Sequence, residues 1–184
     1  MLYINDDLDG FDLDRALPLL SEQRRGVCLR FRHELGRKQC AAAYLLLRKA
    51  LLEEYGISEM PVFGYGEHGK PFIIGHPDIH FNISHCHEAV VCAVSDKPVG
   101  VDVESIDRYK ESVAQYTMND REMDIIHSAD NPALAFTRLW TMKEALLKLS
   151  GQGISNDMRD VLTGDEPITT VEELCKGYVY SWIT

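Results

Sequence analysis

Long uncharged apolar runs are missing from this 184-residue sequence: the longest apolar stretch, around Ala41 to Leu52, is interrupted by Arg48 and Lys49. It falls far short of the ~20 residues that cross a bilayer as a helix, which argues against a membrane span. Absent too are a charged-then-apolar leader, an internal repeat, a low-complexity tract and a linker rich in Pro, Gly and Ser, so neither solenoids nor strings of independent domains fit. The five cysteines, Cys28, Cys40, Cys86, Cys92 and Cys175, show no CxxC spacing. An odd, unpatterned set excludes a disulfide scaffold and fits a reducing compartment, so the expected location is cytoplasmic. Positive charge is in short supply, with 19 Lys and Arg against 29 Asp and Glu and a net charge of −10. That balance excludes broad binding to nucleic acid or to an anionic membrane.

What is present is ordinary globular composition, with 45% hydrophobic and 26% charged residues, enough for one compact domain or two small halves sharing a core. The scarce cations are unevenly placed. Arg24, Arg25, Arg30, Arg32, Arg37, Lys38, Arg48 and Lys49 fall within 26 residues that hold one acid, Glu34, whereas residues 1 to 22 carry six acids and only Arg15. A local anion site on an acidic protein is one reading, and the solvated face of a helix is the commoner one.

Apolar spacing predicts a long helix from Arg37 to Tyr55, with Gly56 where a left-handed C-terminal cap is wanted. From Pro61 the texture turns to short β-rich runs, Pro71–Ile74, Ile79–Ser84, Ala89–Ser95 and Val99–Glu104, separated by turn residues and read as antiparallel strands. Asn119 with Glu122 resembles a capping box, Asn131–Pro132 opens a helix ending at Gly151, Thr170 with Glu173 suggests a short helix, and Tyr178 to Ile183 reads as a closing strand. Helices and strands in blocks, without βαβ alternation, indicate an α+β fold.

Two motifs mislead. Gly64 to Lys70 matches both GxGxxG and most of a P-loop, but Pro71 and a β-like Phe72–Ile74 follow where a helix or a Ser/Thr is required, which leaves a glycine-rich turn before a strand. His76, His80, His85 and His87 with Cys86 suggest zinc, yet beyond His85 and His87 two suitably spaced ligands are missing, and polar histidines facing a cleft fit better.

The informative segment is Gly100–Val101–Asp102–Val103–Glu104. On a strand the two valines face one way and the two acids the other, and the carboxylates repel unless a proton, a base or a hard divalent cation relieves them. A solvent-facing edge strand has the same alternation. Downstream, Trp140, Glu144 and Lys148 share one helical stripe with Lys143 beside it, which by spacing alone is also compatible with a surface ion pair on an amphipathic helix.

Together, Gly100–Glu104 and, about 32 residues later, Phe136-xxx-Trp140-Thr-x-Lys143-Glu144-Ala-xx-Lys148 resemble the paired signature of the 4′-phosphopantetheinyl transferase family. Gly69–Lys70–Pro71, Phe81–Asn82–Ile83–Ser84–His85 and the basic Arg24–Arg48 region fit the same family in the same order, covering roughly residues 20 to 155. Chain length is similar to that of the monomeric two-subdomain branch typified by the surfactin-synthetase activator. The resemblance implies two pseudo-symmetric α+β halves, 1–98 and 99–184, each a small antiparallel sheet on a long helix, with coenzyme A between them. It implies transfer of the phosphopantetheine arm of coenzyme A to a serine of an acyl or peptidyl carrier protein, with release of adenosine 3′,5′-bisphosphate. It implies Mg²⁺, with Mn²⁺ as an alternative, on Asp102, Glu104 and Glu144. It assigns coenzyme A contacts to Arg24, Lys70, Pro71, Ser84, His85, Lys143 and Lys148, catalytic roles to Glu144 and Lys148, and the general base to Asp120 or a metal-bound water. A family member that binds coenzyme A or a carrier without catalysis is the alternative. Val27 stands where the family has a second basic contact and Cys40 or Gln39 where it has a polar one, so the 3′-phosphate grip is expected to differ, with Arg30, Arg32 or Arg37 as substitutes. The tail after Gly153 is shorter than the branch leads one to expect.

Overall fold

The computed structural model describes residues 1–151, 158–162 and 164–184, and Gly153 lies outside them. In chain order the strands are β1 (Leu2–Asn5), β2 (Phe63–Tyr65), β3 (Pro71–Ile73), β4 (His80–His85), β5 (Val90–Ser95), β6 (Gly100–Ser105), β7 (Thr169–Glu173) and β8 (Tyr178–Ile183). The α-helices are α1 (Leu13–Ala16), α2 (Glu22–Leu29), α3 (Glu34–Tyr55), α4 (Glu111–Thr117), α5 (Asp120–Ser128) and α6 (Pro132–Ser150). The architecture is α+β. All pairings are antiparallel, in three sheets ordered β1-β5-β4, β2-β3 and β6-β8-β7.

Both long helices end as the sequence predicts, because Gly56 and Gly151 adopt φ of 67° and 70°, a left-handed cap that costs a residue with a Cβ. The Asn119–Glu122 capping box forms, and Asn131 caps α6 through the Leu134 amide. The glycine-rich segment is the turn of the β2–β3 hairpin, with Gly69 at φ 80°. The Thr170–Glu173 expectation is corrected: this segment is strand β7, paired with β8 from Thr169↔Trp182 to Glu173↔Tyr178. Its β-branched run Thr169–Thr170–Val171 favours a pleated strand over the helix that a Thr-x-x-Glu pair alone suggests.

Period-two alternation then divides the core. On β5, Cys92 and Val94 pack with Leu47, Ala50 and Leu51 of α3, while Val91 and Ala93 meet Val101 and Val103 of β6. The valines of β6 therefore close the seam between the two three-stranded sheets, and its other face is turned toward α6. Gly100 makes this approach possible: a Cβ there would overlap the Ala145 carbonyl oxygen and lie 2.6 Å from the Leu149 nitrogen. The free edge of β6 is held to β4 by a side chain, since the Val101 amide donates to Asn82 Oδ1 at 3.0 Å. Strand β6 is thus fixed on three sides with its acids aimed at α6. Among the described residues, no helix is long and apolar enough to cross a membrane.

Candidate active site

Asp102 is 2% exposed. Its Oδ1 accepts from Ser84 Oγ at 2.8 Å and from Lys148 Nζ at 2.5 Å, and Lys148 also donates to Ser84 Oγ at 2.9 Å. The triangle draws one side chain each from β4, β6 and α6. Asp102 Oδ2 is buried with no hydrogen-bond partner, an arrangement that persists only where something else satisfies it. The two nearby glutamates lack an equivalent cation. Burial first, and then the charge of Asp102, pushes the Glu104 carboxyl up to about 7 and raises that of Glu144. Glu104 pairs with the exposed Arg108 at 3.7 Å and accepts a hydrogen bond from Trp140, and neither offsets its burial.

Beside this cluster a cleft of ≈ 290 Å³ is lined by Lys70, Pro71, Asn82, Glu144, Leu147 and Lys148, among others. A second cavity of ≈ 300 Å³ shares Pro71 and Asn82 with it and reaches past His85 to Arg24. Loss of solvation, then the neighbouring Lys148, lowers the His85 pKa. Trp140, one turn before Glu144, opens instead into a small recess with Glu104, Arg108 and Phe136.

The sequence-predicted residues fall into three groups. Asp102, Ser84 and Lys148 touch one another, with Glu104 and Glu144 close enough to be perturbed by Asp102. Arg24, Pro71 and His85 line the second cavity, together with Val27 and Cys40. Lys70 lines the first, but its ammonium is spent on α6, donating to the carbonyls of Lys148 at 2.6 Å and Leu149 at 3.0 Å, where a cation complements the helix C-terminus.

Two of the residues lie away from the cleft. Lys143 does not face the cleft: it is fully buried, paired with Glu122 at 2.7 Å and donating to the carbonyls of Thr117 and Met158 at 3.0 and 2.6 Å. Asp120 does not share a cavity with the acids either. It is exposed at the start of α5 and lines a separate hollow with Leu139 and Met142, on a different stripe of α6 from Glu144 and Lys148. None of Arg30, Arg32 and Arg37 is among the residues described as lining the Arg24 cavity; Arg37 Nε instead donates to the Phe31 carbonyl at 2.9 Å. The sequence reading missed how Asn82 and Ser84 tie β4 to β6, although two polar residues at period two, alternating with Phe81 and Ile83, are the visible sign of it.

The model of the 4′-phosphopantetheinyl transferase superfamily matches residues 98–184, the part that carries β6 and α6. A 4′-phosphopantetheinyl transferase of Bacillus subtilis is 33% identical over 157 residues, spanning 84% of this chain and 70% of the relative. The chain belongs to the 4′-phosphopantetheinyl transferase family. The transferase Sfp of Bacillus subtilis strain 168 is 29% identical over the same shares of the two chains, and the transferase gsp of Aneurinibacillus migulanus is 38% identical over 73% of this chain and 63% of its own. The enzyme is therefore a phosphopantetheinyl transferase, and the buried acids at the mouth of its cleft are the feature that any account of its chemistry must use.

Among the described residues, no three His, Cys, Asp or Glu side chains converge at ligand distance. The donors nevertheless suit a hard divalent cation: they are oxygens only, Asp102 Oδ2 is unpartnered, and burial and the charge of Asp102 make both glutamates reluctant to ionise.

Proposed function

We propose that this transferase moves the 4′-phosphopantetheine arm of coenzyme A to a serine hydroxyl of an acyl or peptidyl carrier protein, releasing adenosine 3′,5′-bisphosphate. The observation that carries the reading is the unpartnered Asp102 Oδ2 between two glutamates of raised pKa, beside a cleft that continues into a cavity ending on Arg24. In the reaction the serine oxygen forms a bond to the phosphorus bearing the pantetheine, and the diphosphate bond to the nucleotide phosphate breaks. Asp102, Glu104 and Glu144 would hold a magnesium ion, whose charge would offset that of the diphosphate.

Lys148 is the cation assigned to the leaving nucleotide phosphate. Its ammonium is held by Ser84 and Asp102, so it is oriented before substrate arrives. Glu144, which lines the cleft, would face the entering serine hydroxyl. The nucleoside end then extends along Pro71 toward Arg24. Lys143 and Asp120 have no part in this reading, since one is buried and the other opens elsewhere.

Intact-mass spectrometry tests it. Apo acyl carrier protein or an apo peptidyl carrier domain, incubated with the enzyme, coenzyme A and Mg²⁺, should gain one phosphopantetheine group, ~340 Da, and a chelator should prevent the gain. Asp102→Ala should abolish transfer while leaving the circular-dichroism spectrum unchanged. Full transfer in the presence of chelator, or by that variant, overturns the assignment.

A further inference from the structure

The cavity that continues from the cleft is built for a flat ring more than for charge. Its walls include Phe31 and Tyr65, which are 44% and 63% exposed, together with Val27 and Cys40. Only two of the described lining residues can carry positive charge, Arg24 and His85. Burial, and then the charge of Lys148, holds His85 below the usual imidazole value, which disfavours a charge on it. Of the cations that follow Arg24, Arg37 donates to the Phe31 carbonyl, Lys38 to the Asp9 carbonyl and Arg48 to the Leu19 carbonyl, and Arg25, Arg30 and Arg32 are not among the described lining residues. Arg24 is half-buried, its Nε has no hydrogen-bond partner, and among the described lining residues it is the one permanent charge.

This inference rests on the proposed transfer reaction. With the diphosphate at Lys148, the adenosine lies in this cavity, and its 3′-phosphate has one guanidinium to meet. We infer that the 3′-phosphate is a minor determinant and that 3′-dephospho-coenzyme A serves as a phosphopantetheine donor within about tenfold of coenzyme A, the most that one charge pair open to water supplies. The same bonds form and break with either donor. Only the leaving nucleotide changes, from adenosine 3′,5′-bisphosphate to AMP.

The experiment compares kcat/KM for the two donors with one apo carrier protein, following the identical mass gain, and measures the Kd of adenosine 3′,5′-bisphosphate and of AMP by calorimetry. The expected ratio is tenfold or less in both readouts, and Arg24→Gln should bring it to about one. A preference for coenzyme A clearly above tenfold, with transfer otherwise efficient, overturns the inference and leaves the transfer reading intact. Absence of transfer from both donors, with the two nucleotides still binding within tenfold of each other, overturns the transfer reading and supports the weak 3′-phosphate grip. No binding of either nucleotide overturns both.

Discussion

Gly100→Ala is the substitution whose effect can be worked most directly from the structure. The added methyl would overlap the carbonyl oxygen of Ala145 and lie 2.6 Å from the amide nitrogen of Leu149. Both are backbone atoms inside α6, so no rotamer change clears the space and the helix itself must back away from β6. Inserting a methyl into a packed interior costs about 1–3 kcal/mol, and a backbone obstacle belongs at the upper end, about 3 kcal/mol. For a chain of this size each kcal/mol moves the melting temperature by about 2–4 °C, giving an expected fall of about 6–12 °C. The displaced helix carries Glu144 and Lys148, and a shift of about 1 Å at a reacting centre costs about 100-fold in rate. Thermal unfolding by circular dichroism checks the first number and the carrier mass assay the second. Gly26→Ala is the control: its Cβ meets nothing within 4 Å, and inside α2 the change should raise the melting temperature by removing backbone freedom from the unfolded chain. A Gly100→Ala protein melting within 2 °C of wild type would refute the close-approach argument.

Other perturbations separate the roles of the buried polar groups. Lys143→Met should destabilise by about 3–5 kcal/mol by leaving Glu122 buried without its cation, and Lys143→Met/Glu122→Gln should recover part of that loss in urea unfolding; the double variant, if folded, should keep the coenzyme A KM of wild type, and a KM raised tenfold or more would return Lys143 to the phosphates. Ser84→Ala removes one hydrogen bond from each of Asp102 and Lys148 and should lower kcat by roughly tenfold with little change in donor KM; unchanged kcat would show that neither group needs the hydroxyl. Glu104 sets a pH dependence in metal-free protein. Its folded pKa of about 7 stands above the ordinary glutamate value of 4.5, so between those values the folded state holds a proton the unfolded state has released, and stability falls as pH rises through that window. The melting temperature should therefore drop from pH 5 to pH 7.5, Glu104→Gln should flatten the drop, and an unaltered slope in that variant would sink the explanation.

Much of the acid site was legible because it is written in local periodicity. The alternation Val101–Asp102–Val103–Glu104 separates two faces on any strand, and Glu144 and Lys148 share a stripe on any helix. What local periodicity leaves open is the partner of each face. The alternation of β6 reads as a solvated edge until Gly100 allows α6 to cover the acids and Asn82 closes the edge. The strand β7 was missed for the related reason that a Thr-x-x-Glu pair is only a helix start if a helix follows, and here β8 supplies a ladder instead.

The case of Lys143 shows where the sequence held more information than motif order conveys. At roughly 100° per residue, Lys148 lies about 40° from Glu144 around α6, whereas Lys143 lies about 140° from Lys148. One helix cannot aim both lysines into a single cleft, and the geometry resolves the conflict by burying Lys143 against Glu122 and the carbonyls of Thr117 and Met158. A fully buried lysine survives only with a counter-charge and acceptors for its remaining protons, and it has all three. The same ion pair fixes α5 beside α6 through Glu122, which also caps the Asn119 backbone amide. Asp120, two residues before Glu122 on that anchored helix, is consequently turned to the hollow by Leu139 and Met142 and away from the acids. The two placements thus have one physical origin: the lysine expected to meet phosphate instead holds in place the helix that carries the expected base away from it.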